Sequence, residues 1–281
     1  MKKGLTIASI IFLSGFIFSS GYGAVKRVIE VLYAKKGEVV YVSKEGKRWL
    51  EKGDVLEPSG EIYTMNGRCV LGLPDGSTIK IEEHSVLKID EILFDIEKDS
   101  ITAKFTSLLR RAIFRITRGL KGEESFFINI SGARLGVRGT SFLVDVDEDK
   151  NTRASAYEGR VEVEGKSEKI FISKGEGAFV NKEGESKKVK LPPPPRIKEF
   201  SSALKPPFSI EWDGPEGINA FEVVISKDED LNDVVFAGVI YGKKVQFFSF
   251  PSGIYYLSVQ SVDSMGFLSI PENILKFEIK E

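Results

Sequence analysis

The chain has 281 residues, 42% of them hydrophobic and 29% charged, with a formal net charge of −1. That balance supports an ordered core and excludes a disordered chain, and the lack of a clustered basic face excludes a nucleic-acid binder. A single cysteine, Cys69, rules out an intramolecular disulfide, and a single histidine, His84, leaves zinc without a ligand set.

Lys2 and Lys3 precede an apolar run from Leu5 to Phe18, and small residues follow at Gly21 and Gly23. This is the pattern of an export signal cleaved after Gly23. As a helix the run would reach about 21 Å, short of the roughly 30 Å hydrocarbon core. Residues 1–23 are therefore expected to be a signal peptide. An uncleaved anchor is the alternative and would be the one membrane contact.

The rest reads as all-β. Val28–Val42 predicts two strands around a turn at Lys35-Lys36-Gly37. Asp75-Gly76 lies between Leu71, Leu73 and Ile79, Ile81, which predicts a hairpin. Ile101–Thr117 carries two patterns. Ile101, Phe105, Leu108, Leu109 and Ala112 fall at helical spacing, whereas Ala112, Phe114 and Ile116 alternate as a strand. A strand is expected from Ala112, with the earlier part open. Gly136-Val137-Arg138-Gly139 reads as a tight turn, since glycine takes φ > 0 at no steric cost. It runs into a strand whose Phe142, Val144 and Val146 face a core. Further strands are predicted around Val161, Ile170–Ile172 and Ala178–Val180. Residues 24–190 thus form one β domain. Pro192–Pro195 marks a semi-rigid linker over 191–200. Residues 201–281, with six or seven short strands, are expected to form a β-sandwich.

Several of these pieces occur together in a known family. Gly53-Asp54, Leu73-Pro74-Asp75-Gly76-Ser77 with Ile79 and Ile81, and Val137-Arg138-Gly139-Thr140 with Phe142 and Val144 come first. Glu158-Gly159 with Val161 and Val163, and Gly175-Glu176, follow in the same order. Over roughly Ala34 to Asn181 the chain resembles the FecR family of extracytoplasmic domains. The segment after the prolines resembles a fibronectin type III or immunoglobulin-like module, with Trp212 as an early-strand core residue and Tyr255 as a corner tyrosine. The resemblance implies an extracytoplasmic recognition domain. FecR-type regulators also carry a cytoplasmic segment before a membrane helix. Here the apolar run begins at Leu5, so what carries over is the extracytoplasmic domain rather than the full relay.

The candidate turn or ligand-contact residues are Arg138, Gly139 and Thr140, with Asp75, Gly76 and Ser77. Arg138 could offer a cation beside free backbone N–H groups. The plainer reading, preferred here, makes it a clamp that fixes the turn. Asp145, Asp147, Asp149 and Asn151 have the oxygen spacing of a calcium loop. An EF-hand needs Gly at its sixth position and Glu at its twelfth, where this chain has Lys150 and Ala156. A solvated hairpin tip is expected instead. Cys69 sits in an apolar strand and reads as a small buried hydrophobe rather than a nucleophile partnered by His84. Arg110, Arg111, Arg115, Arg118 and Lys121 read as a solvated basic face. Tyr255 and Tyr256 point to opposite faces of one strand, so one of them is expected in the core.

These readings predict an exported, non-enzymatic binding or scaffold protein of the cell envelope, periplasmic, secreted or at the cell surface. No cofactor or metal is expected, and the partner would be an envelope protein or glycan. The alternative is a FecR-type signalling adaptor between an outer-membrane receptor and a membrane partner.

Overall fold

The structure, a computed structural model, describes residues 25–26, 29–95, 100–117, 125–130, 132–272 and 274–280. The export signal expected over residues 1–23, Arg118, Lys121 and the side chain of Arg138 lie outside the described residues. Every regular element among the described residues is a strand, so the all-β expectation holds. None of them forms a helix long and apolar enough to cross a membrane.

The N-terminal unit is one branched sheet of 16 strands around a single apolar core that runs from Ile29 to Val180. Its branch point is the strand Ser100–Arg115. The first half of this strand lies between Val86–Asp95, antiparallel, and Ser125–Ile130, parallel. Its second half lies between Thr78–Ile81 and the end of Ala133–Val146, both antiparallel. The helical spacing seen in this segment has a local cause. The register shifts between Ser107 and Leu109, and Arg110 takes φ +66°. This β-bulge moves the inward face from Ala103 and Phe105 to Ala112, Phe114 and Ile116. One extra residue turns strict alternation into an apparent helical repeat.

The strand Ala133–Val146 carries the same device. Leu135 and Val137 point inward before it, and Phe142, Val144 and Val146 after it. The switch falls where the register shifts between Arg138 and Phe142, at Gly139 with φ +52°. The tight turn expected at Gly136 is therefore absent. Gly136 is extended and pairs with both Phe127 and Glu162. The positive-φ glycine makes a bulge inside one long strand, because Thr152–Glu164 pairs with it on both sides of the shift while its other neighbour changes from Ser125–Ile130 to Ser100–Arg115.

The C-terminal unit is two facing sheets. Arg196–Ile197, Phe208–Asp213 and Lys244–Phe247 form one. The other runs in the order Ala203–Leu204, Leu275–Ile279, Gly253–Val262, Ala220–Ser226, Val234–Tyr241. Between them Trp212, Phe221, Tyr255 and Phe277 are buried. Tyr255 donates its hydroxyl hydrogen to the Pro251 carbonyl at 3.1 Å. Its neighbour Tyr256 points the other way, as strand alternation requires.

The proline run does not hold the two units apart. Leu143 and Tyr157 sit on the outward face of the N-terminal sheet, where they would be wasted on water. They pack instead with Leu268, and Val262, Ile270 and Leu191 close over them. An ionic layer borders this second core. Arg111 reaches Glu222 at 2.6 Å and Asp145 at 3.8 Å. Arg153 bonds Asp147 at 3.0 Å and the Met265 carbonyl. Arg68, held by Glu82 at 2.6 Å, donates to the Leu231 carbonyl, and Lys80 donates to that of Asp230.

Candidate functional site

Two segments far apart in sequence meet at one end of the N-terminal sheet. The first is the Asp75–Ser77 turn. Gly76 takes φ +83° and donates its N–H to the Leu73 carbonyl at 3.0 Å. Asp75 accepts from the Ser77 N–H at 2.9 Å and the Ser77 hydroxyl at 2.6 Å. Ser77 then ties the turn to the next strand, since its Oγ accepts the Thr117 N–H at 3.1 Å. Thr117 returns a hydrogen bond from its hydroxyl to the Asp75 carbonyl at 2.9 Å.

The second segment is the bulge at Gly139–Thr140. The Thr140 carbonyl accepts the Ile116 N–H at 2.8 Å, which sets the bulge against the Thr117 segment. Gly159, with φ +67°, lies under it so closely that a Cβ would stand 2.5 Å from Thr140 Cγ2 and 2.8 Å from the Gly139 carbonyl oxygen. Only glycine allows two strands to flip their phase at one level.

Between these segments lies a cleft of about 630 Å³, lined by Asp75, Arg115, Ile116, Thr117, Gly139, Thr140 and Glu158. Five of the six residues singled out in the sequence, Asp75, Gly76, Ser77, Gly139 and Thr140, thus converge on it, lining it or building its walls. Arg138 contributes backbone pairing with Arg160. Thr140 is 2% exposed, and its hydroxyl has no hydrogen-bond partner among the described residues. Arg115 and Glu158 are exposed and place opposite charges at the rim.

Other candidates resolve into structural roles. Burial pushes the Cys69 thiol up to about 12, so it stays protonated, and the thiolate is the nucleophilic form. His84 is exposed on a turn with φ +55°. The calcium-like carboxylates are engaged by the chain itself. Asp147 accepts from the Asn151 backbone at 2.8 Å and from Arg153, and Asp145 faces both Arg111 and Arg153. The expected hairpin tip is therefore pinned by Arg153 on its inner side, with Asp149 exposed at its end. Among the described residues of the basic stretch, Arg110 and Arg115 are on the surface, and Arg111 is half-buried between the units.

The loop that receives Arg68 and Lys80 is organised by Asp228. Burial opposes its charge. The Asp233 N–H at 2.6 Å, the Ser226 hydroxyl at 2.7 Å and the Asn232 N–H at 2.9 Å more than offset this and hold the carboxyl below its usual range. A depressed folded value stabilises the protein above the unfolded carboxylate value of about 3.9. That stability is lost as pH falls through the folded value. Asp228→Asn should therefore flatten the acid limb of a Tm-against-pH curve, which thermal unfolding from pH 7 to pH 2 would measure.

Residues 61–162 match the FecR protein family. The matched stretch includes the Asp75–Ser77 turn, Arg115–Thr117, the Gly139–Thr140 bulge and Glu158, so it contains both walls of the cleft. No curated protein matches the chain. Among solved structures it is similar to two of Parabacteroides distasonis proteins assigned as anti-sigma factors, at 25% and 24% identity. Each covers 46% of this chain and 59% of the other, with TM-scores of 0.39 and 0.38. The extracellular domain of a B. thetaiotaomicron protein assigned as a one-component system is also similar. It has 9% identity and a TM-score of 0.23, covering 92% of this chain and 57% of the other. The chain thus spans less than two thirds of the length of these solved relatives.

Proposed function

We propose that the chain is a non-enzymatic, extracytoplasmic module of FecR type that works as a signalling adaptor. A partner at the cell envelope docks at the cleft, and its state passes to a membrane partner. The observation that carries this reading is the FecR family match over residues 61–162, because that stretch builds the whole cleft. The docked C-terminal unit supports it as well. Arg111 stands on the same strand as Arg115 and contacts Glu222 of the second unit, so the cleft wall and the interface share one rigid element. We read the C-terminal unit as a fibronectin type III-like sandwich. Its support is the split into sheets of three and five strands and the Tyr255 corner.

A second reading keeps the docking and drops the relay, which makes the chain an envelope scaffold. The same cleft supports it. Charge reversal at the rim, Arg115→Glu with Glu158→Lys, separates the two readings. The expected result for the adaptor is an unchanged Tm, lost capture of an envelope protein, and a changed transcript profile in cells. Lost capture with an unchanged transcript profile would favour the scaffold. Capture and transcripts both unchanged would sink the cleft as the binding site.

A further inference from the structure

The five-stranded sheet ends at Val234–Tyr241, which pairs, among the described residues, only with Ala220–Ser226. Long free edges are normally blunted by lysine, proline or a short strand, because open N–H and C=O groups template pairing. This edge has no lysine, no proline and a full strand length, and its one irregularity is the register shift at Val235, near its start. Its eight residues, Val-Val-Phe-Ala-Gly-Val-Ile-Tyr, carry no charge and no proline. Val235, Val239 and Tyr241 are 40%, 48% and 79% exposed, and Ala237 is exposed with them. Phe236 and Ile240 alternate with these and pack on the sandwich core. The N-terminal unit meets the strand at its start, where Lys35 donates to the Val234 carbonyl.

The charges flanking the strand select an occupant. Asp228, Glu229, Asp230 and Asp233 precede it, and Lys243 and Lys244 follow it. Antiparallel pairing with a second copy sets the acidic end of each strand against the basic end of the other. Parallel pairing would set like against like. The register is also constrained. Centred on Gly238, a two-fold pairing places Val235 opposite Tyr241 and Ala237 opposite Val239, twice over. The exposed row then meets itself, as β-branched–aromatic and small–large pairs. A shift of one residue would set that row against Phe236 and Ile240, which are committed to the core.

We propose that Val235–Tyr241 is a homodimerisation edge, joining the five-stranded sheets of two copies of this chain antiparallel about Gly238. One strand pair covers less area than a stable obligate dimer needs, so the association is weak and depends on concentration. Sedimentation equilibrium of the purified protein should show a reversible monomer–dimer equilibrium, and Val239→Lys should return it to monomer with an unchanged Tm. The register is tested by oxidation. Cys69 is buried and is the chain's one cysteine, so introduced thiols report cleanly. Ala237→Cys combined with Val239→Cys should give a disulfide-linked dimer, because cross-strand neighbours lie within bonding range. Neither single substitution should, because each thiol would face a non-cysteine. A protein that stays monomeric over the whole concentration range would overturn the proposal. So would a dimer indifferent to Val239→Lys, cross-linking by a single variant, or an edge that takes up a foreign extended peptide while the chain remains monomeric.

Discussion

Truncating Phe114 to alanine should lower stability by about 3–5 kcal/mol. Phe114 is fully buried. Its ring stacks on Phe142 at 5.1 Å and 13°, and meets Phe126 edge-on at 6.0 Å and Phe105 at 6.2 Å. These four rings come from three strands, Ser100–Arg115, Ser125–Ile130 and Ala133–Val146, that meet at the branch of the sheet. Phe114 pairs with Phe142 on one side and Ile79 on the other. The cavity left by alanine would therefore open where the two branches of the sheet join, and no side chain there could collapse to fill it. Chemical denaturation followed by tryptophan fluorescence would measure the loss. Because the two units share an apolar core and an ionic layer, Trp212 in the C-terminal sandwich should report the same midpoint as circular dichroism of the whole chain. Split transitions would show that the units unfold independently.

Gly159→Ala should cost about 2–4 kcal/mol, a large effect for one methyl group. Part is backbone strain, since φ +67° is left-handed and disfavours any Cβ. The rest is overpacking against Thr140 and the Gly139 carbonyl. The side chain of Thr140 can turn away, but the carbonyl belongs to the bulge itself. Relief must therefore come by pushing the Gly139–Thr140 segment toward the cleft. The variant should lose partner binding along with stability, whereas Gly175→Ala should lose only stability. Gly175 also has positive φ, at +82°, but an added Cβ there meets open space. Parallel thermal unfolding and capture assays on the two variants would separate a cleft effect from a general one.

The β class, the Leu73–Ile81 hairpin and the inward row at Phe142, Val144 and Val146 are legible in the sequence, because strict alternation survives in them. The bulges are not. At Arg110 one displaced residue converts alternation into a spacing that imitates a helix. At Gly139 the positive φ is legible, yet a turn and a bulge use the same residue, and the choice depends on Gly159 in the neighbouring strand. Half of the candidate site is legible for the same reason. Asp75-Gly76-Ser77 and Gly139-Thr140 announce special backbone, whereas Thr117 and Arg115 look like ordinary strand residues until the fold places them at the cleft. Arg111 is the clearest miss. A run of basic residues reads as a solvated face, and its partner Glu222 is 111 positions away. The signal available was Leu143 and Tyr157, two large apolar residues on a face that should have met water.

The central claim is that the cleft between the Asp75–Ser77 turn and the Gly139–Thr140 bulge receives an envelope partner. Site-specific photo-crosslinking in intact envelopes tests it most directly, with a benzophenone side chain placed at position 115 on the rim. The expected result is one discrete adduct with an envelope protein, absent when the same group stands at position 187 on the far edge strand Ser186–Lys190. Equal adducts at both positions, or none at position 115, would contradict it.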